Sequence, residues 1–289
     1  MTPADLVVEH HTAQLPGLEM HYVTKGQGPL VVLLHGFPES WWSWRYQIDP
    51  LAAAGFRVVA PDLRGYGDTG KQGPYDLDTI CGDVKALIEH LGEPRAHIVG
   101  HDWGGATAWH FATFHPELTQ TLAVLNCPHL VMMQRALKGG SWAQMKRSWY
   151  MFFFQLPWVA EWLLTKDDAG NLERVLRASS VNKDHLGPDE LRPFRDAIQK
   201  PGAAAAMVGW YRAAFRGVFS KRVYPVIEAR TTLIWGKEDG ALGFDDLVPG
   251  TEKFAPKLSV KPVEGAGHFV QSERPQDVNP LLLEHLRAA

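Results

Sequence analysis

Three short apolar runs frame the chain. Residues 30–35 (LVVLLH), 56–62 (FRVVAPD) and 96–102 (AHIVGHD) are continuous and rich in β-branched side chains, the pattern of strands covered on both faces. Between the last two, residues 76–92 (DLDTICGDVKALIEHLG) place apolar positions at helical spacing and end on a glycine. This alternation predicts βαβ units and a parallel sheet. LEMHYVTKG, residues 18–26, alternates like a half-buried strand, and TLAVLNC, residues 121–127, adds a strand after a helix starting near Trp103. The pattern then breaks into aromatic-rich helical stretches punctuated by Pro157, Pro188, Pro193 and Pro201. Strands resume with ARTTLIWGK, 229–237, and LSVKPVEG, 258–265. The expected architecture is an α/β fold with one mostly parallel sheet, whose core is residues 1–128 and 225–289. Residues 129–224 are expected to form a helical cap over the carboxyl ends of the strands, where open parallel sheets bind ligands.

Composition narrows the function. Of 289 residues 45% are hydrophobic and 21% charged, with a formal net charge of -3, so no basic field invites nucleic acid. No apolar run reaches the roughly 20 residues of a membrane span. A membrane partner is therefore not expected. The start MTPADLVVEHH lacks the apolar stretch of a secretory signal, and the two cysteines, Cys81 and Cys127, read as buried thiols in a reducing cytoplasm. No motif for a cofactor stands out and the histidines lack zinc-type spacing, so neither cofactor nor metal is expected.

The chemistry centres on Gly100-His101-Asp102-Trp103-Gly104-Gly105, between a predicted strand and a predicted helix. Small residues two before and two after a central side chain suit a strained strand-to-helix turn, as in G-x-S-x-G. Here the central residue is Asp102. It could simply cap the following helix, although a cap does not require the glycines. A carboxylate at this turn can attack an sp3 carbon and form an alkyl ester, which water must then cleave with the help of a histidine base and oxyanion donors.

His268 follows a predicted strand within a glycine-rich turn, where the chain order nucleophile, acid, histidine puts the base. Asp239 ends another strand and is favoured as the orienter of the imidazole, with Glu238 and Asn126 as competitors. The same order points to the backbone N–H groups of Phe37, in His35-Gly36-Phe37-Pro38, and Trp103 as the oxyanion donors. HGFP could also be only a turn, with its proline cis.

With these residues in place, the chain resembles the soluble epoxide hydrolases of the α/β-hydrolase superfamily. The resemblance rests on HGFPESWWSWRYQ (35–47), DLRGYG (62–67) and GHDWGG (100–105), and it covers nearly the whole chain, least in mid-cap. It implies a mostly parallel sheet flanked by helices, an inserted cap, no cofactor, and two cap tyrosines that hold and protonate an epoxide oxygen. Tyr150, in SWYMFFFQ, and Tyr211, in GWYR, match those positions. The implied partners are a small hydrophobic epoxide and water, with the chain a monomer or homodimer. Expected to line the pocket are His35, Pro38, Trp103, Trp149, Phe153 and Phe269.

The competing reading is a dehalogenase built on the same Asp–His–Asp arrangement. Haloalkane dehalogenases share a tryptophan after the nucleophile, but often place asparagine where Phe37 stands. Fluoroacetate dehalogenases usually carry arginine after the nucleophile. A binding protein that had lost its chemistry would usually lack a triad member, and none is missing here. Nine of the 11 tryptophans fall in segments expected at or over the site, which predicts an aromatic, largely apolar pocket.

Overall fold

The computed structural model describes residues 6–217 and 222–288. Residues 1–5 and 289 of the expected core, and 218–221 of the expected cap, lie outside the described residues. Eight strands form one sheet: β1 (Glu9–Leu15), β2 (Leu18–Lys25), β3 (Leu30–Leu34), β4 (Arg57–Pro61), β5 (Ala96–His101), β6 (Thr119–Leu125), β7 (Thr231–Gly236) and β8 (Leu258–Val263). Their order is β1-β2-β4-β3-β5-β6-β7-β8. β1–β2 and β2–β4 pair antiparallel, and every other neighbouring pair is parallel. The result is an α/β fold with a mostly parallel sheet flanked by helices.

β1 has no counterpart among the strands expected from sequence. Only Ala13 and Leu15 of this strand are buried, with His10 and His11 exposed, and it is held as an edge strand by its register against β2. The central strands behave as their apolar runs predict. Val31 and Leu33 enter a core with α1 (Ile48–Ala53), while Val32 and Leu34 enter a larger core against α2 (Leu77–His90) and α3 (Trp103–Phe114). α2 starts where the sequence pattern places it, because the Asp76 carboxylate accepts the Thr79 N–H.

Between β6 and β7 runs a helical insertion: α4 (Leu130–Arg135), α5 (Trp142–Arg147), α6 (Trp149–Phe153), α7 (Val159–Ala178), α8 (Pro188–Gln199) and α9 (Ala203–Gly217). α7 is broken at residues 166–169, where Asp167, Asp168 and Ala169 adopt positive φ. After β7 come α10 (Phe244–Leu247), α11 (Val270–Glu273) and α12 (Pro275–Arg287). Among the described residues, no helix is long and apolar enough to cross a membrane. Cys81 and Cys127 are buried and free.

The sheet order reverses between β3 and β5: the chain moves outward from β3 to β4, then crosses back to β5. A crevice opens at the carboxyl ends of strands where such a switch occurs. The loop after β3 carries Phe37 and the turn after β5 carries Asp102, so the topology brings residues 65 positions apart to one place.

Candidate active site

Asp102 sits between β5 and α3 with φ 48° and ψ -118°, a strained conformation for a residue with a side chain. Its side chain makes no capping bond to α3, so helix capping does not account for the aspartate. The glycines explain how the turn is tolerated. A Cβ on Gly100 would lie 2.2 Å from the Gly104 carbonyl oxygen, and one on Gly104 only 2.0 Å from that of Leu34. Backbone against backbone leaves nothing to move aside.

Freed from capping, the carboxylate points outward. Its Oδ1 accepts the Phe37 N–H at 2.9 Å, and its Oδ2 lies 3.5 Å from His268 Nε2. Trp103 is the first residue of α3, so its N–H has no acceptor within the helix. Phe37–Pro38 is a cis peptide.

On the other side of His268, Nδ1 lies 2.7 Å from Asp239 Oδ2. The second oxygen of Asp239 accepts the N–H groups of Ala241 at 2.8 Å and Leu242 at 2.9 Å. Asn126 supports the same carboxylate, donating to Oδ2 at 2.8 Å while its own oxygen accepts the Gly236 N–H at 2.9 Å. Glu238, the competitor, is exposed and accepts from the Ala266 N–H. Burial alone would raise the Asp239 pKa, but the His268 charge and these hydrogen bonds bring it below the ordinary carboxylate value. For His268 burial opposes protonation, yet the carboxylates of Asp239 and Asp102 outweigh it and raise the imidazole well above its ordinary value.

A cavity of about 340 Å³ opens in front of Asp102. Asp102 and Trp103 form its floor, and Tyr150, Met151, Trp210 and Tyr211 reach it from the insertion. The two tyrosine rings stand 5.9 Å apart and nearly perpendicular, and the Tyr211 ring is 5.1 Å from Phe37 and 5.0 Å from Trp103. Burial, followed by the negative charge of Asp102, pushes both phenols up, so both keep their protons at neutral pH. Further walls are apolar, from Leu130, Val131, Met133, Leu137, Ala213 and Leu242. The far end is polar, where Arg222 donates to Asp78 at 2.9 Å and Asp78 pairs with His110 at 2.9 Å.

The expected pocket lining needs correction. Of the six side chains named, only Trp103 is part of this wall. His35 is fully buried and used structurally: Nδ1 donates to the Gly36 carbonyl at 2.9 Å and Nε2 accepts the Leu63 N–H at 3.0 Å. Pro38 is buried in the loop after β3, and Phe269 is buried with its ring 5.0 Å from His268. Phe153 packs on Phe154 and Trp149 rather than on the cavity, and Trp149 itself is exposed on the outer face of α6. One helical turn explains the last two: with Tyr150 and Met151 facing inward, Trp149 must face out. Of the tryptophans, Trp103 and Trp210 line the cavity, whose other aromatic walls are Tyr75, Tyr150, Tyr211 and Tyr224.

Other buried groups that fix the site carry no local sequence signal. Glu39 accepts the Gly36 N–H at 2.8 Å and pairs with His101 Nδ1 at 2.8 Å, and it also takes bonds from Ser43 and from Gln271 at 3.1 Å. His101 Nε2 meets the carbonyl oxygen of His268 at 2.8 Å. That carbonyl can only accept, so Nε2 of His101 is the donor there. Burial would raise the Glu39 pKa, but His101 and the hydrogen bonds hold it at about 2. The Glu39–His101 pair thus joins the loop after β3, the Asp102 turn and the His268 loop. Glu273 secures that last loop by accepting N–H bonds from Gly267, Phe269, Val181 and Asn182 at 2.8–3.2 Å. Away from the site, His21, Asp62 and Asp68 bring ligand-type atoms within 4.8 Å of one another. There the Asp62 carboxylate already accepts from the N–H groups of Trp41 and Asp68 and pairs with His21, which makes it a loop clamp.

Comparison with known proteins matches this geometry to a family. Residues 29–275 match the alpha/beta hydrolase fold family. The AB hydrolase superfamily protein YfhM of Bacillus subtilis is 38% identical over 279 residues, covering 94% of this chain and 95% of that protein. Epoxide hydrolase 1 of Caenorhabditis elegans is 34% identical over 283 residues, covering 95% of this chain and 68% of that protein. Among solved structures, Bacillus megaterium epoxide hydrolase in complex with an inhibitor superposes with a TM-score of 0.89 at 31% identity, covering 96% of this chain and all of that one. The chain is an enzyme of the α/β-hydrolase superfamily and belongs to its epoxide hydrolases.

Proposed function

We propose that this hydrolase converts hydrophobic epoxides to vicinal diols through an ester on Asp102. The observation that carries the reading is the placing of Asp102: one carboxylate oxygen is held by a backbone N–H, and the other faces a cavity reached by two phenols that keep their protons. Residues 129–224 act as the cap in this reading, with 1–128 and 225–289 as the catalytic core.

In the first step Asp102 Oδ2 attacks an epoxide carbon and forms a C–O bond while the ring C–O bond breaks. The departing oxygen takes its proton from Tyr150 or Tyr211. Tyrosine suits this role because the released alkoxide is far more basic than a phenol of pKa about 10. Two protonated phenols lining the cavity beside Asp102 favour an epoxide over a halide, which leaves without needing a proton. Phenylalanine at both positions is expected to slow ester formation by about 100-fold or more, read in a single turnover with excess enzyme. Unchanged ester formation in the double variant would remove the tyrosines from the mechanism.

In the second step His268, oriented by Asp239, takes a proton from water, which attacks the Asp102 carbonyl carbon. The oxyanion that forms on Oδ1 stays beside the Phe37 N–H, with the Trp103 N–H as second donor. Collapse expels the diol oxygen, which takes the proton held by His268, and the carboxyl proton left on Asp102 returns to the tyrosinate, restoring the carboxylate, the neutral imidazole and the phenol. Ester formation also prepares the base. Once alkylated, Asp102 has no charge, so one of the two carboxylates raising the His268 pKa disappears and the imidazole releases its proton more easily. As pH falls His268 becomes protonated and ester hydrolysis slows, while ester formation does not need the neutral ring. Rapid-quench measurements should therefore find more ester per active site as pH is lowered. An ester level independent of pH would contradict the assignment of the base.

A further inference from the structure

The outer face of the insertion is unusually apolar. Trp158 is 81% exposed, Trp142 68%, Trp149 65%, Trp162 58% and Phe152 52%. Trp149 and Phe152 share a face of α6, Leu156 is exposed in the turn that follows, and Val159, Trp162 and Leu163 follow one face of α7. The inner face of the same segment carries Tyr150, Met151 and Phe154. α6 is thus apolar on both sides, which a helix between a cavity and water does not need.

This surface is preformed. Arg212 grips the turn between α6 and α7, donating to the carbonyls of Phe154 at 3.1 Å and Leu156 at 3.0 Å and to Glu161 at 2.6 Å. The Phe152 ring packs 5.6 Å from Phe215 on α9. Cations flank the tryptophans: Lys146 lies 5.7 Å from the Trp142 ring and Lys166 4.8 Å from that of Trp162. The acids nearby are already engaged, Glu161 by Arg212, Asp168 by Arg195 and Asp167 beside Lys166. Lys138, Lys146 and Arg216 have no carboxylate partner among the described residues.

We propose that this face docks on the surface of an anionic lipid bilayer, with its tryptophans at headgroup depth and its lysines against lipid phosphates. Exposed indole rings beside lysines, with an unbalanced positive charge, are the chemistry of an interfacial contact. A second copy fits less well, because a two-fold contact would bring two copies of the same positively charged face together. The absence of a spanning helix does not bear on such a contact. For substrates as apolar as the cavity wall, the bilayer is also where they collect.

The test is sedimentation of the intact chain, without epoxide, with vesicles of phosphatidylcholine alone or mixed with phosphatidylglycerol. Binding to the anionic vesicles, release by salt and a blue-shifted tryptophan emission are expected. Trp158→Ser with Trp162→Ser, and separately Lys138→Glu with Lys146→Glu, should each weaken binding about tenfold or more, with thermal unfolding as the check on folding. No binding to anionic vesicles, or equal binding by the lysine variant, would overturn the proposal. So would a stable dimer that the tryptophan substitutions dissociate, which would assign the face to a second copy. Because no epoxide is present, each result is independent of the catalytic reading.

Discussion

Asp102→Asn is expected to lower epoxide turnover by at least about 10^4-fold, the order seen when a covalent nucleophile is removed. The substitution is nearly isosteric. The amide oxygen can still accept the Phe37 N–H, and asparagine tolerates positive φ at this turn. What is lost is the charge and nucleophilicity of Oδ2, together with one of the two carboxylates facing His268. The other cavity-lining carboxylates, Asp76 and Asp78, belong to the distant polar end beside Arg222 and cannot take over. Initial rates with a styrene-type epoxide measure the effect. Turnover within about tenfold of the unaltered chain would put the nucleophile elsewhere.

His268→Gln separates the half-reactions. Steady-state turnover should fall by about 10^3-fold or more, since water loses its base. Asp102 keeps its charge and its Phe37 contact, so the epoxide still opens and the ester remains. Intact-protein mass spectrometry should then find one adduct per chain with the mass of the epoxide, and none in Asp102→Asn. If His268→Gln consumed epoxide without any adduct, the base would be misassigned.

How much of this was legible in the sequence differs residue by residue. Asp102 was readable because the turn around it is a local steric problem, whose solution, glycine at 100 and 104, is written within five residues. The parallel strands were readable because burial on both faces leaves apolar runs. His101, by contrast, looked like a mere occupant of the Asp102 turn. Its partner Glu39 is 62 positions away, and Gln271 lies 232 from Glu39, so no spacing rule links them. Glu273 is equally hidden, since its partners are backbone N–H groups from two loops. Trp149 and Phe153 were misplaced because segment membership does not fix helical phase. Trp149 and Tyr150 are neighbours in sequence, yet about 100° of rotation puts one on the surface and the other in the cavity. β1 was overlooked because an edge strand with a solvated face carries little apolar signal.

The covalent ester is tested most directly by one turnover in oxygen-18 water with enzyme in excess. Attack by Asp102 Oδ2 gives the diol an oxygen from the aspartate, while the water oxygen enters the carboxylate. The account predicts an unlabelled diol and oxygen-18 in the peptide containing Asp102. Label appearing in the diol in that first turnover, with none on Asp102, would mean that water attacks the epoxide directly and would contradict the ester mechanism.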